Sequence, residues 1–530
     1  MMLFLMWWLA GVRFAPSPTL PPPPPAARPR LVVVITVDQM RPDYLDRYRA
    51  QLQGGLRLLL REGAVFRDAY QDHAVTETAP GHATILSGRW PAHTGIIRNN
   101  VGVQDSAAPL IGFTGPGASP ARFRGTELFD WLHAAEPDAR ALSVSRKDRG
   151  AILPIGRAKQ SVYWYQSGYF TTSTYYGDSL PGWVRAFNAR RIPFQEAGAV
   201  WNLLLPARDY PEPDSVPYEN GGAGFVFPHH LPADSAEAAA ALAGVPTMDS
   251  LTLAFALEGV RALRLGGRGA TDLLAVSLST TDAIGHAYGP DSREIHDQIL
   301  RLDRYLGAFL QQLFVRYGTG NVLVVLTADH GVTPYPERSR ALGRQDAVRV
   351  IPDSLIASVN AALDRRAGGA DWLQFDTGML LLADRARLAA QGVNVDSVIA
   401  DVRARLQALP GVARVDRPAD LAGRDTSDAV VRRWIHNVPP DAGVELVVTL
   451  KPYSIWTYPP PNPPIAMHGQ PTDLDAHVPL IFMGSEIRRG TYDRRVSTVD
   501  IAPTLARLLD LTPAEPLDGH VLAEALEQGN

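Results

Sequence analysis

The chain has 530 residues, of which 46% are hydrophobic, and a formal net charge of -4 at pH 7. This length exceeds that of a usual single domain, so we predict a large α/β core that carries at least one insertion. The small net charge and the lack of a basic stripe argue against nucleic acid as the main partner. The absence of cysteine excludes disulfides, thiolate metal sites and thiol catalysis. Any metal must therefore be held by histidine and carboxylate side chains.

The N-terminus predicts a signal peptide followed by a stiff linker. A short apolar run lies between Met1 and Val12, and proline-rich sequence follows from Pro16 to Pro29. About ten apolar residues are too few to span a bilayer and fit the hydrophobic part of a signal peptide. No Lys or Arg precedes the run, so a start codon assigned too far upstream is the alternative. We expect export to a periplasm or a similar compartment, with no membrane span in the mature chain.

The first predicted strand of the core ends in a carboxylate. Residues 31–37 form a continuous apolar run, which is typical of a parallel strand buried on both faces, and Asp38 follows the run directly. In open α/β sheets, functional groups lie just beyond the carboxyl ends of the strands. A helix is predicted over residues 54–62, and the next strand begins at Gly63.

A threonine precedes a Pro-Gly pair in the segment TETAPGHATILSG, residues 76–88. The Pro80-Gly81 pair predicts a turn that opens a helix. A hydroxyl at a helix N-terminus lies in a field that favours an alkoxide and an incoming anionic phosphate, so Thr78 is the candidate nucleophile. For an isolated threonine at such a turn, a capping role is the alternative.

Residues 141–150 predict a strand that leads into a charged turn containing Lys147, Asp148 and Arg149. Such a cluster is usually a solvated loop. It could equally bind phosphoryl oxygens, since arginine offers a bidentate fork and lysine a point charge. Residues 189–248 are rich in Pro, Gly and Ala and are predicted to be loop-rich.

A third buried strand is predicted over residues 271–278, and Asp282 and His286 follow it. Their spacing lets both side chains reach one ion from a single helical turn or a tight loop. The alternative is a solvated acid and an unrelated histidine. Residues 291–317 have the periodicity of a long amphipathic helix that returns the chain to the sheet and completes a β-α-β unit.

The segment VLVVLTADHG, residues 322–331, predicts a central buried strand that ends in Asp329 and His330. A carboxylate beside an imidazole suits a divalent ion such as zinc, although one pair cannot fill a coordination sphere. A helix N-cap aspartate followed by an unrelated histidine is the alternative.

The remaining sequence predicts an insertion and the completion of the core. Residues 351–452 change to short strands and helices and are predicted to form a small α+β subdomain, whose role as a lid, an oligomer contact or mere bulk is open. Residues 453–530 contain His468, a candidate ligand, and complete the core that begins at residue 30. We therefore predict a central, mostly parallel sheet flanked by helices, preceded by a signal peptide and linker over residues 1–29.

The ordered motifs resemble those of the alkaline phosphatase superfamily. They are TVDQ, T-x-T-A-P-G-H-A-T, NN, KDR, TTD-x-x-GH, TADHG and HG, and they extend from residue 31 towards the C-terminus. The branch they resemble most has a threonine nucleophile and contains the phosphate-irrepressible alkaline phosphatases and the nucleotide pyrophosphatase/phosphodiesterases. No C/S-x-P-x-R sulfatase motif occurs, so formylglycine chemistry is not expected.

This resemblance implies a site with two zinc ions. One ion would be held by Asp282, His286 and His468. The second would be held by Asp38, Asp329 and His330, with Thr78 bound to it as the nucleophile. The resemblance also implies contacts to the phosphoryl oxygens from Asn99, Lys147 and Arg149.

Two zinc ions about 4 Å apart can stabilise an in-line displacement at phosphorus. We therefore expect hydrolysis of phosphate monoesters through a covalent phospho-threonine, with small phosphorylated metabolites as substrates. A monoester dianion carries one more negative charge than a diester, and the two cationic side chains Lys147 and Arg149 can stabilise that charge. The alternatives are a phosphodiesterase or nucleotide pyrophosphatase that uses the same two-metal site, and a non-catalytic exported protein that binds metal or phosphate. The oligomeric state is open.

Overall fold

A computed structural model describes residues 28–100, 102–369, 371–457 and 464–527. The predicted signal peptide lies outside the described residues, and so does nearly all of the predicted linker.

The strands of the described residues are, in chain order, β1 (Leu31–Val37), β2 (Ala64–Tyr70), β3 (Ala141–Ser145), β4 (Ser161–Gln166), β5 (Tyr169–Thr171), β6 (Val200–Trp201), β7 (His229–His230), β8 (Asp272–Leu278), β9 (Val322–Thr327), β10 (Arg349–Val350), β11 (Leu373–Asp376), β12 (Met379–Leu382), β13 (Val412–Asp416), β14 (Val444–Leu450), β15 (Ile455–Trp456), β16 (His477–Met483), β17 (Gly490–Tyr492) and β18 (Val496–Ser497).

The α-helices of the same residues are α1 (Asp43–Arg47), α2 (Gly55–Glu62), α3 (Thr78–Ile85), α4 (Pro91–Thr94), α5 (Leu128–Ala135), α6 (Asp148–Ile152), α7 (Gly182–Ala189), α8 (Ser235–Ala241), α9 (Thr247–Leu263), α10 (Thr280–Tyr288), α11 (Arg293–Tyr317), α12 (Pro336–Ala341), α13 (Asp353–Ala367), α14 (Arg385–Ala390), α15 (Val395–Gln407), α16 (Pro418–Leu421), α17 (Ala429–Asn437), α18 (Asp473–Ala476) and α19 (Ile501–Leu508).

In the described part of the chain, the main sheet has ten strands, in the order β17-β2-β16-β9-β1-β8-β3-β4-β5, with β18 paired to β2. The neighbours from β9 to β4 run parallel to one another. Strand β16 is antiparallel to both of its neighbours, and β5 is antiparallel to β4. The predicted class, a mostly parallel α/β sheet flanked by helices, is confirmed.

The central strands are buried on both faces because helices cover the sheet on each side. All seven residues of β1 are buried, and alternate side chains enter two separate cores. Val33 and Ile35 face the side that α9 and α11 cover, whereas Val32 and Val34 face α3, α5 and α19. This explains why the strand reads as a continuous apolar run rather than an alternating one.

The long helix α11 has the predicted amphipathic pattern, since the apolar positions on one face are all buried: Ile295, Ile299, Leu302, Leu306, Phe309 and Leu313. It begins two residues later than predicted, because the Ser292 side chain accepts a hydrogen bond from the Ile295 N–H and caps the helix there. Between α7 and α9 the described chain contains only α8, short 3₁₀ turns and two strands of two residues, so it is loop-rich as predicted.

The inserted region contains its own antiparallel sheet in the order β11-β12-β14-β13. Helices α13 and α15 pack on it over an apolar core that includes Ile399, Leu446 and Val448. The two-residue connection between β11 and β12 is a tight hairpin.

Strands β1, β8 and β9 are neighbours in register, with Val37 opposite Leu278 and Thr36 opposite Thr327. Their carboxyl ends therefore lie side by side at one edge of the sheet. The segments that follow these strands carry the candidate site residues.

Within the described residues, no single helix has both the length and the apolar character needed to cross a bilayer. One bent pair of neighbouring helical segments, 235–244 and 247–263, reaches that length and composition only when the two are taken together across a 92° bend.

Candidate active site

Side chains from four separate segments meet at the carboxyl end of the main sheet. They are buried, except for His286, which is partly exposed. Their ligand atoms form two overlapping groups, and within each group all atoms lie within 4.8 Å of one another. The first group is Asp282, His286 and His468, and the second is Asp38, Asp282 and His330.

The first group is organised by helix α10. The helix places Asp282 and His286 one turn apart, so the open choice between a helical turn and a tight loop is settled as a helical turn. His286 Nε2 lies 3.2 Å from Asp282 Oδ1, and His468 Nε2 lies 3.6 Å from the same oxygen. The two histidine Nε2 atoms are 3.2 Å apart.

Backbone carbonyls fix the orientation of all three histidine rings. In each ring, Nδ1 lies within hydrogen-bonding distance of a carbonyl oxygen, and a ring nitrogen can bond to a carbonyl only by donating a proton. In the neutral ring, Nε2 then carries a lone pair directed at the carboxylates, which is the form that binds metal. The carbonyl partners of His286, His468 and His330 are those of Ala466, Thr76 and Gly331, at 2.8, 2.7 and 2.9 Å.

The second group lies at the ends of β1 and β9. His330 Nε2 is 3.4 Å from Asp38 Oδ1 and 3.7 Å from Asp329 Oδ2. Asp38 Oδ1 and His330 Nε2 are buried without a hydrogen-bond partner in the described structure. An unpaired buried acceptor is costly, and a cation shared by these atoms would remove that cost. The residues present therefore fit a metal site.

No helix begins at Asp329. The next α-helix along the described chain is α12, which starts at Pro336, so the alternative interpretation of Asp329 as a helix N-cap is wrong. The Asp329 carboxylate instead accepts a hydrogen bond from the Gln39 N–H at 3.1 Å and lies 3.2 Å from His82 Nδ1.

Burial and neighbouring charges shift the pKa values in this cluster in different directions. Burial raises the pKa of Asp38, and the carboxylates of Asp282 and Asp329 raise it further. Burial would also raise the pKa of Asp282, but Lys147 and His286 outweigh it and hold that pKa well below its usual range. Burial and His468 hold the pKa of His330 well below its usual range, so its ring is neutral, as a metal ligand must be.

Lys147 reaches into the cluster from the start of α6. Its Nζ lies 2.6 Å from Asp38 Oδ2, 2.7 Å from Asp282 Oδ2 and 3.1 Å from Thr78 Oγ1. The lysine is thus placed at the candidate nucleophile itself and between two carboxylates. The predicted charged turn is the first turn of a helix, and the lysine side chain is buried, so the interpretation of Lys147 as part of a solvated loop is wrong.

Thr78 occupies the first position of helix α3. The helix begins two residues before Pro80, so the prediction that the Pro-Gly pair opens it is wrong, and both residues lie within its first turns. Gly81 is required there, since a Cβ would stand 2.2 Å from the carbonyl oxygen of Asp329. The Thr78 hydroxyl therefore lies at a helix N-terminus, where the helix dipole favours negative charge.

Asn99 lies beside the same helical turn, whereas Arg149 is not brought into the cluster. The side-chain oxygen of Asn99 accepts a hydrogen bond from the Ala79 N–H at 2.9 Å, so its amide N–H₂ group is the part left to donate elsewhere. Arg149 contacts its neighbour Asp148 at 3.6 Å and makes no hydrogen bond to the other candidate residues in the described structure.

Two residues that position the candidate ligands were not identified from the sequence as site residues. Gln39 has a positive φ of 66° and donates from Nε2 to Asp282 Oδ1 at 3.0 Å, in addition to its backbone contact with Asp329. His82 lies one helical turn after Thr78, close to the Thr78 carbonyl and to Asp329. The i, i+4 spacing within the TAPGHAT motif is the signal that could have indicated His82.

The chain is similar to known phosphodiesterases and phosphatases. The family model described as Type I phosphodiesterase / nucleotide pyrophosphatase matches residues 32–428. Alkaline phosphatase PhoV of Synechococcus elongatus is 33% identical, over 94% of this chain and 93% of its own length. Alkaline phosphatase PafA of Elizabethkingia meningoseptica is 31% identical, over 94% and 95% respectively.

Solved structures give the same result. The crystal structure of PafA matches with a TM-score of 0.87 at 30% identity and covers 95% of this chain and 100% of its own. Murine ectonucleotide pyrophosphatase / phosphodiesterase 5 matches with a TM-score of 0.54 at 16% identity, over 94% of this chain and all of its own, and thus shares the fold.

Proposed function

This chain belongs to the type I phosphodiesterase / nucleotide pyrophosphatase family, and on that premise we propose that it is an alkaline phosphatase, an enzyme that hydrolyses phosphate monoesters and releases inorganic phosphate. The observation that carries the proposal is the position of the Thr78 hydroxyl. It lies at a helix N-terminus and 3.1 Å from the Lys147 ammonium group, which in turn contacts two of the clustered carboxylates.

The site binds two zinc ions in this proposal. Asp282, His286 and His468 would hold one ion, and Asp38, Asp329 and His330 would hold the other. The chemistry of these side chains supports the assignment, because neutral imidazoles and carboxylates are the ligands that bind zinc in a protein without cysteine. Zinc bound there supplies positive charge beside the reacting phosphorus.

Thr78 is the nucleophile. Its Oγ attacks phosphorus, the bond from phosphorus to the ester oxygen breaks, and the alcohol leaves with a proton. Water then attacks the phospho-threonine, the bond to Thr78 Oγ breaks, and inorganic phosphate leaves while Oγ regains its proton. The Lys147 ammonium group stabilises the negative charge that develops on Oγ, and the amide N–H₂ of Asn99 donates to a phosphoryl oxygen.

The preference for monoesters has two supports. Relatives named alkaline phosphatases match nearly the whole chain at 31% and 33% identity, whereas the diesterase structure shares the fold at 16%. In addition, a buried lysine beside the nucleophile suits a dianionic monoester better than a diester, which has one oxygen masked. Arg149 is proposed as a second cation for the phosphoryl oxygens, two residues after Lys147.

Phosphodiester hydrolysis is the second candidate, since the matching family model is named for it. Rates with p-nitrophenyl phosphate and bis-p-nitrophenyl phosphate on the zinc-loaded protein separate the two. We expect faster turnover of the monoester, and we expect Lys147→Ala and Arg149→Ala to lower monoester turnover more than diester turnover. Faster diester turnover that tolerates both substitutions would assign the chain to the diesterases.

We also propose that the protein is exported and acts on small phosphorylated metabolites in the periplasm or outside the cell. The short apolar run before Val12 and the proline-rich segment after it support this. Cell fractionation with N-terminal sequencing tests it: we expect activity in the periplasmic fraction and a mature chain that begins before residue 31. An uncleaved chain in the cytoplasm would contradict export.

A further inference from the structure

The tip of the β11–β12 hairpin carries an unfavourable backbone conformation. Thr377 and Gly378 form its two-residue loop, and both have positive φ, 44° and 80°. Two-residue loops of this kind favour Asn-Gly or Asp-Gly, and a β-branched residue at positive φ is a true outlier. Such outliers persist where the surroundings hold them, and they cluster at functional sites.

The Thr377 side chain leads directly to the candidate active site. Its hydroxyl donates to Glu77 Oε1 at 2.7 Å. The other oxygen of Glu77 accepts from the Asn99 N–H at 2.6 Å, and Asn99 Oδ1 accepts from the Ala79 N–H at 2.9 Å. One carboxylate thus joins the subdomain to the asparagine beside Thr78.

The neighbouring hairpin residue Asp376 binds both residues that flank Asn99. Its Oδ2 accepts from Arg98 Nη1 at 3.0 Å and from Asn100 Nδ2 at 2.8 Å. The hairpin also touches the other side of the site, since a Cβ on Gly469, next to His468, would stand 2.4 Å from Thr377 Cγ2. The hairpin tip therefore holds residues 98–100 and is wedged beside a candidate ligand.

We propose that the tip of this hairpin, acting through the Thr377 hydroxyl and Glu77, is a positioning device that fixes the Asn99 amide for contact with the phosphoryl group; this rests on the proposed function, in which Asn99 binds a phosphoryl oxygen. Asn99 lies in a segment without regular secondary structure, and such segments are mobile unless they are held. The inserted subdomain thereby contributes to the phosphate site through Glu77 and Asn99.

Two substitutions at one position separate positioning from folding. Thr377→Gly removes the hydroxyl and relieves the positive φ, so the lost hydrogen bond and the relieved strain offset each other, and the denaturation midpoint should stay near that of the wild type. We expect it to lower kcat/KM for p-nitrophenyl phosphate by about tenfold to a hundredfold, since small misplacements of binding groups have effects of this size. Thr377→Ser keeps the hydroxyl and should restore most of the activity.

A double-mutant cycle with Asn99→Ala identifies the residue through which Thr377 acts. In the Asn99→Ala background, Thr377→Gly should lower kcat/KM by no more than about twofold, because the group it positions is absent. The inhibition constant for inorganic phosphate should rise in Thr377→Gly and change little on adding Thr377→Gly to Asn99→Ala. Zinc content should match the wild type in all variants.

Thr449→Val is the matched control. Thr449 is buried in the same subdomain and its hydroxyl accepts a hydrogen bond from Trp434 Nε1 at 2.9 Å. We expect this variant to be less stable but to retain kcat/KM. The proposal is overturned if Thr377→Gly keeps full activity, if Thr377→Ser loses as much as Thr377→Gly, if the effects of Thr377 and Asn99 add, or if Thr449→Val loses activity to the same extent.

The cycle is run with whichever ester the wild-type protein hydrolyses faster. A preference for the diester would refute the proposed monoesterase function and leave the coupling of Thr377 to Asn99 measurable. Additive effects with a clear monoester preference would refute the positioning role alone.

Discussion

The carboxyl end of the main sheet and the outer helices of the inserted subdomain differ in where their charged side chains lie. At the sheet edge, Asp38, Asp282 and Asp329 are all buried together. In the subdomain, ion pairs such as Arg405 with Asp401, at 2.9 Å, lie on the surface with about half of each side chain exposed. The core over which α13 and α15 pack is instead apolar, and the buried Arg433 on α17 is paired with Asp72.

The buried carboxylates at the sheet edge are explained by metal binding rather than by folding. Burial raises the pKa of Asp38, and its two carboxylate neighbours raise it further, which means that the charge on Asp38 opposes folding. Exposed ion pairs are close to neutral for stability. A buried cluster of this kind is therefore explained by the cations it binds. Substitutions at the sheet edge should change activity and metal content, whereas those on the subdomain surface should change little.

The largest expected effect is that of Thr78→Ala. Loss of the nucleophile should lower kcat by at least about a thousandfold, since nucleophile removal has effects of this order or more in other hydrolases. Zinc content should stay at the wild-type level, because the proposed ligands are mainly other side chains. Steady-state kinetics and metal analysis check both statements.

Thr78→Ser is the matched control for that substitution. It keeps a hydroxyl at the helix N-terminus and should retain most of the turnover. Loss of zinc from Thr78→Ala as complete as that from a ligand variant would contradict the division between nucleophile and ligands.

The second effect in size is that of His330→Ala. Removing this buried ring should cause the loss of one zinc ion per chain and of most of the activity. It should also lower the thermal midpoint, because the buried carboxylates of Asp38 and Asp329 then lack the positive charge of that ion. Metal analysis and differential scanning calorimetry are the measurements. His133→Ala, on the exposed side of α5, is the control and should change neither the zinc content nor the thermal midpoint. Full zinc content in His330→Ala would show that His330 is not a ligand.

Much of this edge was predictable because the strand signal and the ligand signal coincide. The apolar runs at β1, β8 and β9 ended where the structure ends them or within one residue, and parallel strands in register must bring Asp38, Asp282 and Asp329 to one edge. The D-x-x-x-H spacing of Asp282 and His286 similarly fits one turn of α10.

The remainder depends on packing between residues far apart in the chain, which local patterns do not encode. Lys147 was expected to face phosphoryl oxygens, but its position between two carboxylates follows from how α6 meets α3 and β8. The contact of Thr377 with Glu77 spans 300 residues. The positive φ of Gln39 is held by hydrogen bonds to Asp282 and Asp329, so it has no sequence signal of its own.

A smaller effect at the sheet edge concerns pH. Burial raises the pKa of Asp249 to about 6, against an ordinary value of 3.8. Between these two values the unfolded chain loses the proton while the folded chain keeps it, so this group lowers the free energy of unfolding as pH rises, by up to about 3 kcal/mol above pH 6. The carboxylate contacts Thr280 at the start of α10, behind the ligand-bearing turn.

Asp249→Asn should remove this pH dependence. The amide can still accept from Thr280, and it can donate to Gln298 Oε1, which is buried without a partner in the described structure, once the Gln298 amide turns over. Urea unfolding of both proteins between pH 5 and pH 7.5 should give a stability difference in favour of the variant that grows with pH. A difference that stays constant or shrinks across this range would assign the acid–base behaviour to other groups.

The smallest effect is expected on the subdomain surface, from Arg405→Gln on α15. The substitution breaks the i, i+4 pair with Asp401 but buries no charge and opens no cavity, so it should cost only about 0.3–0.5 kcal/mol of stability. Zinc content and kcat/KM should equal those of the wild type, because the pair is exposed and lies away from the hairpin tip that contacts Glu77. A loss of activity without a matching loss of stability would mean that the subdomain surface, like its hairpin, affects the phosphate site. The sheet edge and the subdomain surface would then differ in their contribution to stability but not in their importance for activity.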